Sequence, residues 1–124
     1  MFINYNKNPA GNFTGDCVIR GIATVMDREW DDVWLEIMTV AFKEKDMMTS
    51  NRIWQKYLEQ QGYHRYMLPE TCPDCYTIKD FTRDFDVGRF IVGTGTHVIA
   101  VIDGNYYDTG DSGDDIPIYY WKKG

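Results

Sequence analysis

His97-Val98-Ile99-Ala100-Val101-Ile102-Asp103-Gly104-Asn105-Tyr106-Tyr107-Asp108-Thr109 reads as two short β-runs separated by Asp-Gly. Val, Ile and Tyr suit a pleated backbone, and Asp-Gly fits the two positive-φ positions of a type I′ turn. A two-residue turn at Asp103-Gly104 pairs Ile102 with Asn105, and therefore Ile99 with Asp108. Residues 97 and 99 project from one face, so His97 and Asp108 become diagonal neighbours with Cβ atoms roughly 7 Å apart. A turn one residue longer would flip the register and set Asp111 opposite His97 instead. Asp-Gly favours the shorter turn. Asp108 is therefore the expected partner of His97, with Asp111 in reserve.

Outward from this hairpin the chain divides in two. Arg89–Thr94, Thr96–Ile102, Asn105–Thr109 and Ile116–Trp121 are candidate strands, with an Asp/Gly-rich loop at 110–115. Upstream the apolar spacing is helical. Val18, Ile19, Ile22, Val25 and Met26 mark a helix from Cys17 to Met26, with Asp16 as the expected N-cap. Val33, Trp34, Ile37, Met38 and Ala41 form one face of a second helix over Trp30–Lys45, and Asp31 and Asp32 suit the positive end of its dipole. A third begins near Ser50, presents Ile53, Trp54, Tyr57 and Leu58, and stops at Gly62. Tyr63–Leu68 is extended, 69–76 is a loop, and Thr77 caps a short helix with Ile78, Phe81 and Phe85 inward. Residues 1–15 read as an aperiodic extended arm. Helices followed by strands give an α+β class: one domain, 1–124, with an N-terminal helical part packed on a C-terminal antiparallel sheet.

The helix start carries the chemistry. A thiol at the first position of a helix feels the unpaired N–H groups and the positive dipole end, both of which favour thiolate. Cys17, His97 and Asp108 are then a nucleophile, a proton carrier and a carboxylate that fixes the ring's tautomer. An acyl intermediate also needs an oxyanion hole. The Cys17 N–H supplies one donor, and Asn12 is the best-placed amide for the other, ahead of Asn6, Asn8 and Thr14. Arg20, one turn on from Cys17, reads first as a structural ion-pair former.

Gly15-Asp16-Cys17-Val18-Ile19-Arg20, His97–Gly104 and Tyr107-Asp108-Thr109 resemble small bacterial and phage-encoded members of the papain-like cysteine peptidase superfamily. The resemblance runs from the N-terminal arm to Trp121. It implies a minimal papain-like fold in which a helix opening with the nucleophile packs on a sheet carrying His and Asp. It also implies a peptide or protein substrate, an amide cleaved through an acyl-thioester on Cys17, and His97 as base. Two features depart from the pattern: no Gln precedes Cys17, and the chain is short for a peptidase. They define the rival expectation, a catalytically silent papain-like binding module, such as a phage accessory protein that engages a host protein.

The remaining signals narrow the class. A net charge of −6, with 13 scattered basic residues, argues against a nucleic-acid partner. No stretch is long and apolar enough to span a bilayer, and the N-terminus lacks the pattern of a signal peptide, so a cytoplasmic protein without a membrane partner is expected. With three cysteines and no secretion signal, free thiols are expected. Cys72-Pro73-Asp74-Cys75 reads as a plain loop. The acidic run at 108–115 lacks the EF-hand spacing. Neither a metal site nor a cofactor is expected.

Overall fold

The computed structural model describes residues 1–124. In chain order the elements are β1 (Phe2–Asn4), α1 (Cys17–Met26), α2 (Trp30–Glu44), α3 (Asn51–Gln60), β2 (Tyr63–Met67), α4 (Ile78–Asp84), β3 (Arg89–Gly93), β4 (Val98–Ile102), β5 (Asn105–Asp108) and β6 (Tyr119–Lys123). The class is α+β, with four helices and one open six-stranded sheet in the order β1-β5-β4-β3-β6-β2.

The sheet is mixed rather than antiparallel. Residues 2–4, expected to belong to an aperiodic arm, add an edge strand parallel to β5, with Phe2 opposite Tyr106 and Asn4 opposite Asp108. Three residues are too few to show an alternation in the sequence, and the Phe2 and Tyr106 rings, 5.5 Å apart, help seat them. β2 closes the other edge against β6.

The sheet is covered on both faces, which is why its central strands are apolar runs. Ile91, Val98, Ala100 and Trp121 pack with the buried faces of α1, α2 and α3. Phe90, Val92, Ile99, Val101 and Tyr106 pack with Ile78 and Phe81 of α4 on the other side. Thr77 caps α4 through a reciprocal capping box with Asp80. The molecule is thus three layers deep.

Two observations place the site. Asp103 and Gly104 both have positive φ, 48° and 79°, and Ile102 pairs with Asn105, the register of the two-residue turn. α1 approaches β4 closely through Gly21, where a Cβ would lie 3.0 Å from Val98 Cγ1. That contact brings the mouth of α1 to the start of β4. The strand expected from Thr96 begins at Val98, so His97 stands just ahead of β4, at the end of the turn from β3.

The cysteines differ from expectation. Cys72 and Cys75 are joined in a disulfide, and only Cys17 is free. The turn through Pro73 brings their Cα atoms to 4.1 Å, a proximity that a residue count does not reveal.

Candidate active site

Cys17 is the first residue of α1 and is partly exposed. Asp16 precedes it but does not cap the helix, contrary to expectation. Its carboxylate accepts instead from Arg20 Nε (2.8 Å), Asn8 Nδ2 (3.1 Å) and Trp30 Nε1 (3.0 Å). Three donors converging on one buried carboxylate outbid its own backbone. Asp16 thus ties the arm, α1 and α2 together, and no side chain caps the N–H groups of the first turn beside the sulfur.

His97 Nε2 lies 2.6 Å from Asp108 Oδ2. The hairpin argument therefore meets its geometric test. Asp111 points elsewhere and accepts from Tyr106 Oη and the Gly113 N–H. The Asp108 side chain is only 4% exposed, so its charge needs partners. Besides His97 it accepts from Ser112 Oγ (2.8 Å) and the Thr109 N–H (2.7 Å), and Arg20 Nη1 stands 3.5 Å away. Ser112 and the Thr109 amide had no sequence signal beyond their nearness to Asp108. Arg20 bridges the two buried carboxylates, Asp16 and Asp108.

With Nε2 committed to Asp108, Nδ1 is the ring nitrogen left for sulfur, and the imidazole and Cys17 are close enough for each to shift the other's titration. The electrostatics of the pair follow. Burial pushes the Cys17 thiol up, but the His97 hydrogen bond, the Val98 N–H and the charges of His97 and Arg20 together bring it below its ordinary value. The Asp108 hydrogen bond, seconded by Cys17 and opposed by burial, pushes His97 up to about 10. Burial also pushes the Asp108 carboxyl up, and its bonds to His97 and Ser112 more than reverse that. The shifts make the ring an imidazolium at neutral pH and move the thiol toward thiolate.

A cavity of about 200 Å³ opens at the sulfur, bounded by residues 15–19, Ile37, Met48, Thr49, Asn51 and Thr96. Asn12, the expected oxyanion amide, is not on its wall. It lies exposed in the arm, where its carbonyl accepts from Asn6 Nδ2. Asn8 is also committed, donating to Asp16 and accepting from the Ala10 N–H. Asn6 donates to the Asn12 carbonyl, and neither it nor Thr14 borders the cavity.

Three or more His, Cys, Asp or Glu side chains arranged as a metal site do not occur. No helix is long and apolar enough to cross a membrane. No protein-family model, curated protein or solved structure matches the chain.

Proposed function

We propose that this chain is a cysteine hydrolase of minimal papain-like architecture that cleaves a peptide or isopeptide amide through an acyl-thioester on Cys17. One observation carries the reading: a free thiol at an uncapped helix mouth is electrostatically coupled to an imidazole whose Nε2 is 2.6 Å from a buried carboxylate. Nucleophile, base and orienting group stand in series, and the series ends at an open cavity.

The Cys17 thiolate adds to the substrate carbonyl carbon and drives its π electrons onto oxygen. Collapse of that oxyanion breaks the C–N bond as the His97 imidazolium gives its proton to the departing nitrogen. Neutral His97 then takes a proton from water as the hydroxyl oxygen adds to the thioester. Collapse releases the acid and restores the thiolate. An amine in place of water makes the same centre an acyltransferase. Asp108 holds the ring in one tautomer and stabilises the imidazolium throughout.

Two measurements test this. Iodoacetamide should alkylate Cys17 at pH 6.5 about tenfold or more faster in native than in urea-unfolded protein, because the folded site raises the thiolate fraction. p-Nitrophenyl acetate should then give a burst of nitrophenolate and an acetyl group on Cys17, seen by mass spectrometry and lost with time. Native alkylation no faster than unfolded, with no acetyl-enzyme, would overturn the reading and leave the silent binding module in its place.

A further inference from the structure

The oxyanion hole lacks a second donor in the arm, but the cavity wall holds another amide. Asn51 is the first residue of α3 and borders the cavity that contains Cys17 and the helix mouth. Its Oδ1 accepts from Trp54 Nε1 at 3.0 Å. An indole nitrogen only donates, so this bond identifies the oxygen and leaves the Asn51 NH2 group as the free end. That NH2 makes no hydrogen bond within the protein, unlike those of Asn6 and Asn8.

The amide is also held firmly. Trp54 is 1% exposed and packs against the rings of Tyr119 and Trp121, with centroids 6.5 and 6.4 Å away. A core indole thus fixes an amide at the mouth of a cavity next to a nucleophile. Donors set before charge develops cost little reorganisation when it does, the requirement for transition-state stabilisation.

We propose that Asn51 Nδ2 is the second oxyanion donor, working with the Cys17 N–H in the place an upstream Gln fills in related folds. This rests on the hydrolase reading above. As the thiolate adds to the carbonyl carbon, the oxygen that gains the electron pair turns into the cavity and takes hydrogen bonds from both donors. No proton moves to it. When the tetrahedral centre collapses, the donors release it.

Alkylation and acylation separate this role from a structural one. Displacement of iodide from iodoacetamide forms no oxyanion and depends only on the thiolate, whereas acylation by p-nitrophenyl acetate passes through one. Asn51→Asp keeps an oxygen for the Trp54 indole and removes the NH2. Asn51→Ala removes both. Acylation should fall about 10²-fold in each variant, while alkylation at the same pH stays within about threefold, the scale of losing one such donor. Urea midpoints should separate them, with Asn51→Asp near wild type and Asn51→Ala lower. Dividing the acylation rate by the alkylation rate removes any effect of the new carboxylate on the thiol.

Unchanged acylation in Asn51→Asp would overturn the assignment while leaving the hydrolase intact. Acylation and alkylation falling in parallel would overturn it in favour of a packing role. Wild-type protein that alkylates quickly but never forms an acyl-enzyme would instead sink the hydrolase reading, and this inference with it.

Discussion

α1 starts in one polar network and is followed, just past its end, by another, and the two behave differently. Beyond its C-terminus Arg28 grips Glu36 with both terminal nitrogens, and Tyr57 Oη donates to Glu36 Oε1 at 3.0 Å while accepting from Arg28 Nη1 at 3.2 Å. The triangle is closed. Its shifts all reinforce the protonation each group already has at neutral pH. The Glu36 hydrogen bond raises Arg28, the Arg28 hydrogen bond lowers Glu36, and burial with Glu36 raises Tyr57. At the N-terminus the chain of partners from Asp16 through Arg20, Asp108 and His97 runs out at a sulfur, and there the shifts oppose the ordinary state. A neutral-pH imidazole is driven to imidazolium and a thiol toward thiolate. Charge density does not distinguish a site from a brace. An unsatisfied end with inverted protonation does.

The largest effects should divide cleanly along that line. His97→Ala removes the proton carrier, so acylation of Cys17 at pH 7 should fall by about 10²- to 10⁴-fold. Glu36→Gln should leave acylation unchanged and cost about 1 kcal/mol of stability, since the pair is partly exposed. Stopped-flow nitrophenolate release and urea midpoints read the two. A comparable acylation loss in Glu36→Gln would erase the distinction. The pH profiles sharpen it. Because Cys17 is lowered, its alkylation should rise at lower pH than that of the unfolded thiol, and His97→Ala should move the profile upward, since the ring's hydrogen bond and charge are lost while the Val98 N–H and Arg20 remain. Because His97 is raised to about 10, turnover should decline as pH climbs through that value while alkylation persists. Above that pH the thiol is ionised without an imidazolium beside it, but the leaving nitrogen of an amide then lacks its proton donor.

Next in size is Arg20, which stands behind the reactive pair rather than in it. Its side chain is 12% exposed and lies between carboxylates that are 5% and 4% exposed. Arg20→Met strands both charges, which should cost about 3 kcal/mol or more. A loss below about 0.5 kcal/mol at pH 7 would class this network with ordinary surface pairs.

These features differ in how much of them the sequence could carry. The Asp103-Gly104 register was legible because two adjacent residues set it, and from it followed Asp108 rather than Asp111. The start of α1 was legible because apolar spacing resumes at Cys17. What Asp16 does was not, since its partners Asn8 and Trp30 sit on different segments and any Asp before a helix looks like a cap. The parallel β1 strand and the Cys72–Cys75 bond share that reason: each depends on a spatial approach that leaves no periodic trace. Asn51 lay in plain sight as a helix-opening residue. Only the buried indole beside it and the cavity before it give its amide a direction.

Gly21 gives the smallest effect and the closest test of how the two ends differ. In a helix interior Ala is favoured over Gly by about 1 kcal/mol. Here the new Cβ would stand 3.0 Å from Val98 Cγ1. Val98 is β-branched and 6% exposed, held in the cluster that joins α1 to the sheet, so it has little room to rotate away. The helix must yield instead, by a few tenths of an ångström, and the overpacking should cancel the helical gain or exceed it by about 1 kcal/mol. The movement is aimed at one network only. The Val98 N–H and the His97 ring both lower the Cys17 thiol, so lifting α1 off Val98 should weaken both influences together. Native alkylation of Gly21→Ala at pH 6.5 should therefore slow about three- to tenfold, in step with a raised thiol pKa, while a stability cycle between Arg28 and Glu36 keeps its wild-type coupling. An unchanged alkylation rate would mean that the sulfur's state does not depend on how closely helix and strand approach.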